Sequence, residues 1–379
     1  MQAGRRKLVP MSFGLGTFAA AGADPFPGLV KDGRVYDLRS EFGEHATVLT
    51  ILGDWDGSLP RLECCASQAG AQQRQSAAGR TGLCEDAQRP GRAGGDEDAQ
   101  RPGAGGYPLE RLTILPPVNP PGAFLCAGAN YRNHIIEMRT ANAVAQGLNG
   151  ELAKAQATAA MDERAATGIP FVFAGWPGAV TGACGDVIIP ADSGRRHDWE
   201  LELAVVIGRH ASCVSAETAM EYVAGYTIIN DISTRDRMHR TDLRFTDFMA
   251  TKMRPGFKPT GPWITPKQFV SDPHALRITL KLNGQTMQDD TTADMIFKLP
   301  RLIEYASAIT DLRPGDMIAT GSPSGNAAHH GGRWLVPGDL LEAEIAGLGV
   351  QRNRCVAAAV APPGPDFGAA FTARELQSA

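Results

Sequence analysis

The sequence has no run of the roughly 18 apolar residues that a membrane span requires, so no transmembrane helix is predicted and a soluble protein is expected. It has no excess of positive charge either: 37 Lys and Arg stand against 41 Asp and Glu, a net of -4. A polyanion would gain little from such a surface, so neither nucleic acid nor a membrane is an expected partner. The two basic clusters, Arg5-Arg6-Lys7 and Arg352 to Arg354, are short, carry no interleaved aromatic residues and read as solvated strand ends. Cysteine is sparse, with seven residues at 64, 65, 84, 126, 184, 213 and 355. No CxxC or Cys/His ligand spacing joins them, which argues against a disulfide framework and for a reduced, cytoplasmic protein. P-loop, GxSxG and HExxH signatures are missing as well.

What is present is an ordinary globular composition, 43% hydrophobic and 21% charged over 379 residues, long enough for two or three domains. The start, MQAGRRK followed by LVPMSFGLGTFAAAGA, imitates a signal peptide. Pro10, Gly14 and Gly16 break its apolar stretch, however, and KDGRVYDL at 31–38 reads as a hairpin strand that pairs with an initial strand. Residues 1–62 are therefore expected to form a small N-terminal β domain. Residues 63–106 are almost free of large apolar side chains and repeat EDAQRPG at 85–91 and 97–103, as a disordered low-complexity insertion would. Order is expected again over 107–357, with a frayed tail at 358–379. Within 107–357, apolar runs such as DVIIP, WELELAVVIG, YVAGYTIIND, RITLKLNG and DLLEAEIAG alternate with turns, and residues 139–168 read as helical or loose. Many strands and few helices predict an α+β fold.

Three pieces carry chemistry. In DWELELAVVIG at 198–208, side chains alternate faces, so Asp198, Glu200 and Glu202 share one face with about 7 Å between neighbours along the strand. The same face continues as Ala204 and Val206, as though the strand enters a core, where acids need a cation or a partner. In YTIINDISTRD, Asp231 ends an apolar β-branched run, where a strand delivers a side chain to a cleft. Three converging carboxylates suit a hard divalent cation. In YRNHIIEM, His134 and Glu137 lie three residues apart on one helix face, so the carboxylate can orient the imidazole as a general base. The bland readings are an exposed edge-strand face, a turn-initiating Asp and a surface His–Glu pair.

Taken in order, AFLCAGANYRNHIIEM, DWELELAVVIG, YVAGYTIINDISTRD, KLNGQTMQDDTTADMIF and LRPGDMIATGSPSG closely resemble the fumarylacetoacetate hydrolase family over roughly residues 112–356. The resemblance implies a mixed β-sandwich roll over the catalytic region 107–357, a homodimer, and a bound Mg²⁺, with Mn²⁺ or Ca²⁺ as alternatives. Carried over residue by residue, it implies metal ligands Glu200, Glu202 and Asp231 and a water-activating dyad of His134 and Glu137, often on a lid. It also implies that Lys252 holds a ligand carboxylate or the substrate, and that Tyr131, Arg235 and Thr320 contact the substrate. Two departures stand out. Cys126 and Ala127 occupy the strand where the eukaryotic enzyme has a further metal Asp, and FVFAGWPGA replaces a common Phe-Lys-Pro block.

The activity this implies is metal-dependent hydrolysis of a carbon–carbon bond in a β-diketo acid, such as an acylpyruvate or a diketo sugar acid. An isomerase, hydratase or decarboxylase of a 2-oxo acid is the alternative on the same site, and a catalytically degenerate binding protein is the alternative of another class. A Cys126 nucleophile paired with His134 is disfavoured because a Cys on a buried strand is usually inert packing. His329, His330, His239 and Cys213 are assigned to structure or surface.

Overall fold

The structure, a computed structural model, describes residues 12–78, 105–191, 194–240 and 245–359. Two sheets dominate it. A twelve-stranded mixed sheet runs in the order Tyr107–Pro108, Arg34–Asp37, Phe26–Lys31, Gly14–Ala19, Lys258–Pro266, Val223–Asn230, Leu201–Ile207, Met317–Ala319, Phe124–Gly128 and Phe171–Ala174. Two short strands sit beside that path. A five-stranded sheet runs Gln285–Thr291, Arg277–Leu282, Leu340–Ile345, Gly349–Ala357 and Val187–Ile189. This is the mixed, strand-rich α+β fold expected from the alternating runs and turns.

The strand Leu201–Ile207 is buried at all seven positions, and its two faces serve different cores. Leu201, Leu203, Val205 and Ile207 join one cluster with the five-stranded sheet, while Ala204 and Val206 join a second with Leu15, Leu29 and Ile264. Its neighbour Val223–Asn230 is likewise buried throughout, and Glu202 pairs with Ile229 across the ladder. A strand buried on both faces reads as a continuous apolar run, and any acid in it must be compensated locally.

The expected boundary at residue 62 falls inside a helix, Trp55–Ala78, so at least residues 63–78 are not a disordered insertion. Leu62, Ala66 and Ala69 are buried on one face at helical spacing. Small side chains let the helix lie close to the sheet, and a test for large apolar residues overlooks them. The EDAQRPG repeats lie outside the described residues. Nor do residues 1–62 form a separate β unit. Gly14–Ala19 pairs antiparallel with Phe26–Lys31 and, at Leu15 and Ile264, with the strand Lys258–Pro266, which makes the N-terminal strands the continuation of the main sheet. After them come helices at Arg39–Phe42 and at Val48–Gly53, the latter opened by a Thr47–Thr50 capping box. Residues 139–168 include the end of the helix Arg132–Ala145 and all of the helix Gly150–Thr167, which pack together through Ile135, Ile136, Ala157 and Met161. No described helix is long and apolar enough to cross a membrane.

Ile264→Ala should therefore destabilise the chain by about 2–5 kcal/mol. Urea unfolding followed by fluorescence and by circular dichroism should show one shifted transition. An early, separate loss of the N-terminal strands would contradict the continuous sheet.

Candidate active site

The site grows from the ends of two neighbouring strands. The chain leaves Val223–Asn230 and delivers Asp231, whose backbone N–H donates to the Glu200 carbonyl at 2.8 Å, just before Leu201–Ile207 begins. The Asn230 side-chain oxygen accepts the Glu200 N–H at 2.9 Å, tying the two strand ends together a second time. Glu200, Glu202 and Asp231 thereby bring one carboxylate oxygen each within 4.8 Å of one another, and all three are 9% exposed or less.

Cations balance these acids. Arg235 forks between Asp198, at 2.8 Å, and Glu200, at 2.6 Å. Lys252 ends the short helix Phe248–Lys252, whose cap Asp247 accepts the Ala250 N–H. Its ammonium reaches Glu200, Asp231 at 2.8 Å and the Ser233 hydroxyl at 2.7 Å. Burial alone would raise the Glu200 pKa, but Arg235 and Lys252 hold it well below the usual carboxylate range. Glu202 lacks such a fork: burial and the Glu200 charge push it up to about 8. Burial also raises Asp198, against the pull of Arg235. The donor set, three carboxylates with no soft ligand beside it, fits a divalent cation of the Mg²⁺ or Mn²⁺ kind.

His134 sits on the first turn of Arg132–Ala145, where it feels the charges of Glu200, Arg235 and His329. Burial pushes its pKa down to about 4, so the imidazole is neutral at pH 7. No hydrogen bond or ion pair joins it to Glu137 among the described residues. Glu137 instead faces the His329 ring, Oε2 to Nδ1 at 3.5 Å, so the expected His134–Glu137 dyad is not assembled here. One helical turn puts two side chains on a face without bringing their polar tips together.

Two expected substrate contacts belong to the scaffold. Tyr131 is 0% exposed and lies in the main core, an aromatic turned inward at the start of its helix. Thr320 is also 0% exposed, and its hydroxyl and N–H both donate to the Leu203 carbonyl, at 2.9 and 3.0 Å. The next residue does the work at the site. The Gly321 N–H donates to Glu202 Oε2 at 2.8 Å, with φ +91° and a side-chain position that would press on the Ala127 carbonyl at 3.1 Å. Only glycine accommodates both constraints.

Sequence reasoning missed three further residues. Lys258 is fully buried and ion-pairs with Asp231, so a second lysine faces the acids. Its signal is a Lys opening an otherwise uncharged strand. Asn130, in the quoted ANYRNH, is 2% exposed; it donates to the Phe297 and Thr320 carbonyls at 3.1 and 2.9 Å and accepts the Phe297 N–H. His329 is the third. Cys126 is buried and pushed up to about 11 by that burial, which leaves it a protonated packing residue rather than a nucleophile.

Three acids clustered at the strand ends of this fold, with His134 feeling the charge of one of them, form an oxygen-ligand set that could hold a divalent cation. The chain belongs to the fumarylacetoacetate hydrolase family: the family model described as Fumarylacetoacetate (FAA) hydrolase C-terminal matches residues 123–356. It is 47% identical over 161 residues to the 4-hydroxyphenylacetate degradation bifunctional isomerase/decarboxylase of Salmonella dublin, a match spanning 42% of this chain and 35% of that protein. Over 251 residues it is 34% identical to the mitochondrial oxaloacetate tautomerase FAHD2A of Bos taurus, 66% of this chain and 71% of the relative. Its fold matches a crystal structure of a probable 2-hydroxyhepta-2,4-diene-1,7-dioate isomerase from Mycobacterium abscessus, with TM-score 0.63, 25% identity and coverage of 92% and 100% of the two chains. The family thus includes hydrolases, isomerases, decarboxylases and tautomerases.

Because Glu202 must lose its proton to ligate a cation, divalent-metal affinity should rise with pH up to about 8 and weaken roughly tenfold per unit below it. Calorimetric titration with Mn²⁺ between pH 6 and 8.5 reads this slope. Glu202→Gln should bind more weakly and flatten it, whereas a flat wild-type profile would refute the assignment.

Proposed function

We propose that the protein is a divalent-metal-dependent enzyme that shifts a proton at the carbon beside the carbonyl of a small 2-oxo acid, as in isomerisation or keto–enol tautomerisation. The observation that carries this reading is His134, a half-buried imidazole, neutral at pH 7, that feels the Glu200 charge and has no hydrogen bond or ion pair to Glu137 among the described residues. Proton abstraction needs a base that is unprotonated at working pH, and a free imidazole suffices.

Glu200, Glu202 and Asp231 would hold the cation, and when bound it would polarise the carbonyl and carboxylate oxygens of the substrate. His134 accepts the proton from the carbon next to the carbonyl and returns it at the new position. Lys252 and Arg235 keep Glu200 ionised and, with Lys258 on Asp231, set the positive field in which negative charge develops on the substrate oxygen. The sealed core around Tyr131 and Trp199, both 0% exposed, keeps one side of this field dry. The names of the two curated relatives, an isomerase/decarboxylase and a tautomerase, agree with this chemistry.

Hydrolysis of a β-diketo acid is the second reading. It is supported by Glu137, which shares a helix face with His134 and would complete a water-activating pair by turning away from His329. Hydrolysis is the first expectation from the sequence; the 3.5 Å contact between Glu137 and His329 supports putting proton transfer ahead of it. With either reading go Mg²⁺ or Mn²⁺ as the resident ion, a homodimer and a cytoplasmic location.

Deuterium exchange at C3 of 2-oxo acids, followed by NMR with Mg²⁺ or EDTA, reads proton abstraction directly. His134→Gln should slow it by about 10²–10⁴-fold while Mn²⁺ still binds. Cleavage of acylpyruvates without exchange would make the protein a hydrolase. Metal binding with neither reaction would make it a binding protein.

A further inference from the structure

We infer that Lys258 is a built-in counter-ion of the acid cluster: its ammonium shares Asp231 with the divalent cation and holds the affinity for that cation down. The inference rests on the reading of Glu200, Glu202 and Asp231 as the cation's ligands.

Both carboxylate oxygens of Asp231 already face lysines. Lys252 Nζ donates to Oδ2 at 2.8 Å, and Lys258 Nζ ion-pairs with Oδ1. The two lysines are not equivalent. Lys252 also reaches Glu200 and, at 2.7 Å, the Ser233 hydroxyl, so it keeps partners when Asp231 turns to an ion. Lys258 is 0% exposed, and Asp231 is the acid it contacts among the described residues. On its other side stand buried groups that offer it no compensating charge. The Phe124 ring centroid lies 6.0 Å from Nζ, and Cys126 is close enough to feel its charge. An ammonium in such surroundings does not give up its counter-charge, because the cost of an unpaired buried ion is prohibitive.

The backbone of Lys258 is fixed as well. Lys258 opens the strand Lys258–Pro266, pairs in parallel register with Val180, and accepts the Thr260 hydroxyl on its carbonyl at 2.9 Å. A cation that enters the cluster therefore meets an ammonium that stays beside Asp231.

The contact network carries four carboxylates, on Asp198, Glu200, Glu202 and Asp231, against three cations, on Arg235, Lys252 and Lys258. With all of them ionised, the empty cluster is one positive charge short of neutrality. A divalent ion brings two, so the loaded cluster carries an excess. Without the Lys258 charge the loaded cluster would be neutral and the empty one two charges short. Neighbouring like charges inside a protein oppose each other by a factor of about ten or more in an equilibrium constant. Lys258 thus favours the empty site over the loaded one, and it gives the metal-free chain a counter-charge of its own.

The test is calorimetric titration with Mn²⁺ at pH 8 of the wild type, Lys258→Met and Lys258→Arg. Met keeps the unbranched shape and leaves Asp231 paired with Lys252; it should bind Mn²⁺ about tenfold or more tightly. Arg keeps the charge and should bind no tighter than the wild type. Thermal unfolding gives a second reading: the same Mn²⁺ concentration should raise the Tm of Lys258→Met further than that of the wild type. A Met variant that folds only with Mn²⁺ present supports the inference, and Lys258→Gln takes its place if it folds in neither condition. Unchanged or weaker binding by the neutral variants overturns the inference, as does tighter binding by Lys258→Arg. If neither the wild type nor any variant binds Mn²⁺, the reading of the three acids as ligands fails, and the inference with it.

Discussion

Burying several carboxylates at the head of a strand pair is the constraint around which the rest of this molecule is arranged. Isolated buried charges are so unfavourable that they neutralise or find partners, and both outcomes appear side by side here. Glu200 stays ionised because Arg235 and Lys252 converge on it; Glu202, two residues along on the same face, is left with a backbone N–H and holds its proton to about pH 8. The difference between the two acids comes from their partners, since both are buried and both face the same cluster. A bound cation would complete this arrangement by supplying to Glu202 the positive charge that Arg235 and Lys252 supply to Glu200.

The partners come from distant parts of the chain. Arg235 follows the second strand, Lys252 ends a short helix, Lys258 begins the strand that joins the N-terminal hairpin to the main sheet, and the Gly321 N–H comes from a loop after Met317–Ala319. Each is delivered by backbone pairing: the antiparallel ladder between Leu201–Ile207 and Val223–Asn230 fixes the spacing of the acids, and the flanking strands fix where the cations enter. Residues such as Asn130, Asn230 and Thr320 satisfy backbone groups between these elements and thereby set their separation. Their role explains why a hydroxyl expected to meet the substrate is committed to the Leu203 carbonyl instead.

On such a frame, the reaction is decided by what stands over the acids. The family model is named for a hydrolase and the relatives include an isomerase/decarboxylase and a tautomerase, so the fold alone does not fix the reaction. His134 is a neutral imidazole that feels the Glu200 charge, and Glu137 on the same helix lies 3.5 Å from the His329 ring, an arrangement that suits the proposed movement of a proton on carbon.

The sequence by itself determined the fold class, the family and the acid triad, because these are encoded in local patterns: strand alternation puts Glu200 and Glu202 on one face, and an apolar run ending in Asp231 puts an acid at a strand end. It also determined that Lys252 and Arg235 belong with those acids, through the blocks in which they stand. Tertiary structure decided the rest. Whether Glu137 meets His134 or His329, whether Thr320 faces substrate or backbone, that Lys258 is a second buried lysine, and that residues 63–78 continue a packed helix all depend on elements far apart in the chain. Periodicity specifies which face a side chain takes, but the partner on that face is chosen only when another segment arrives there.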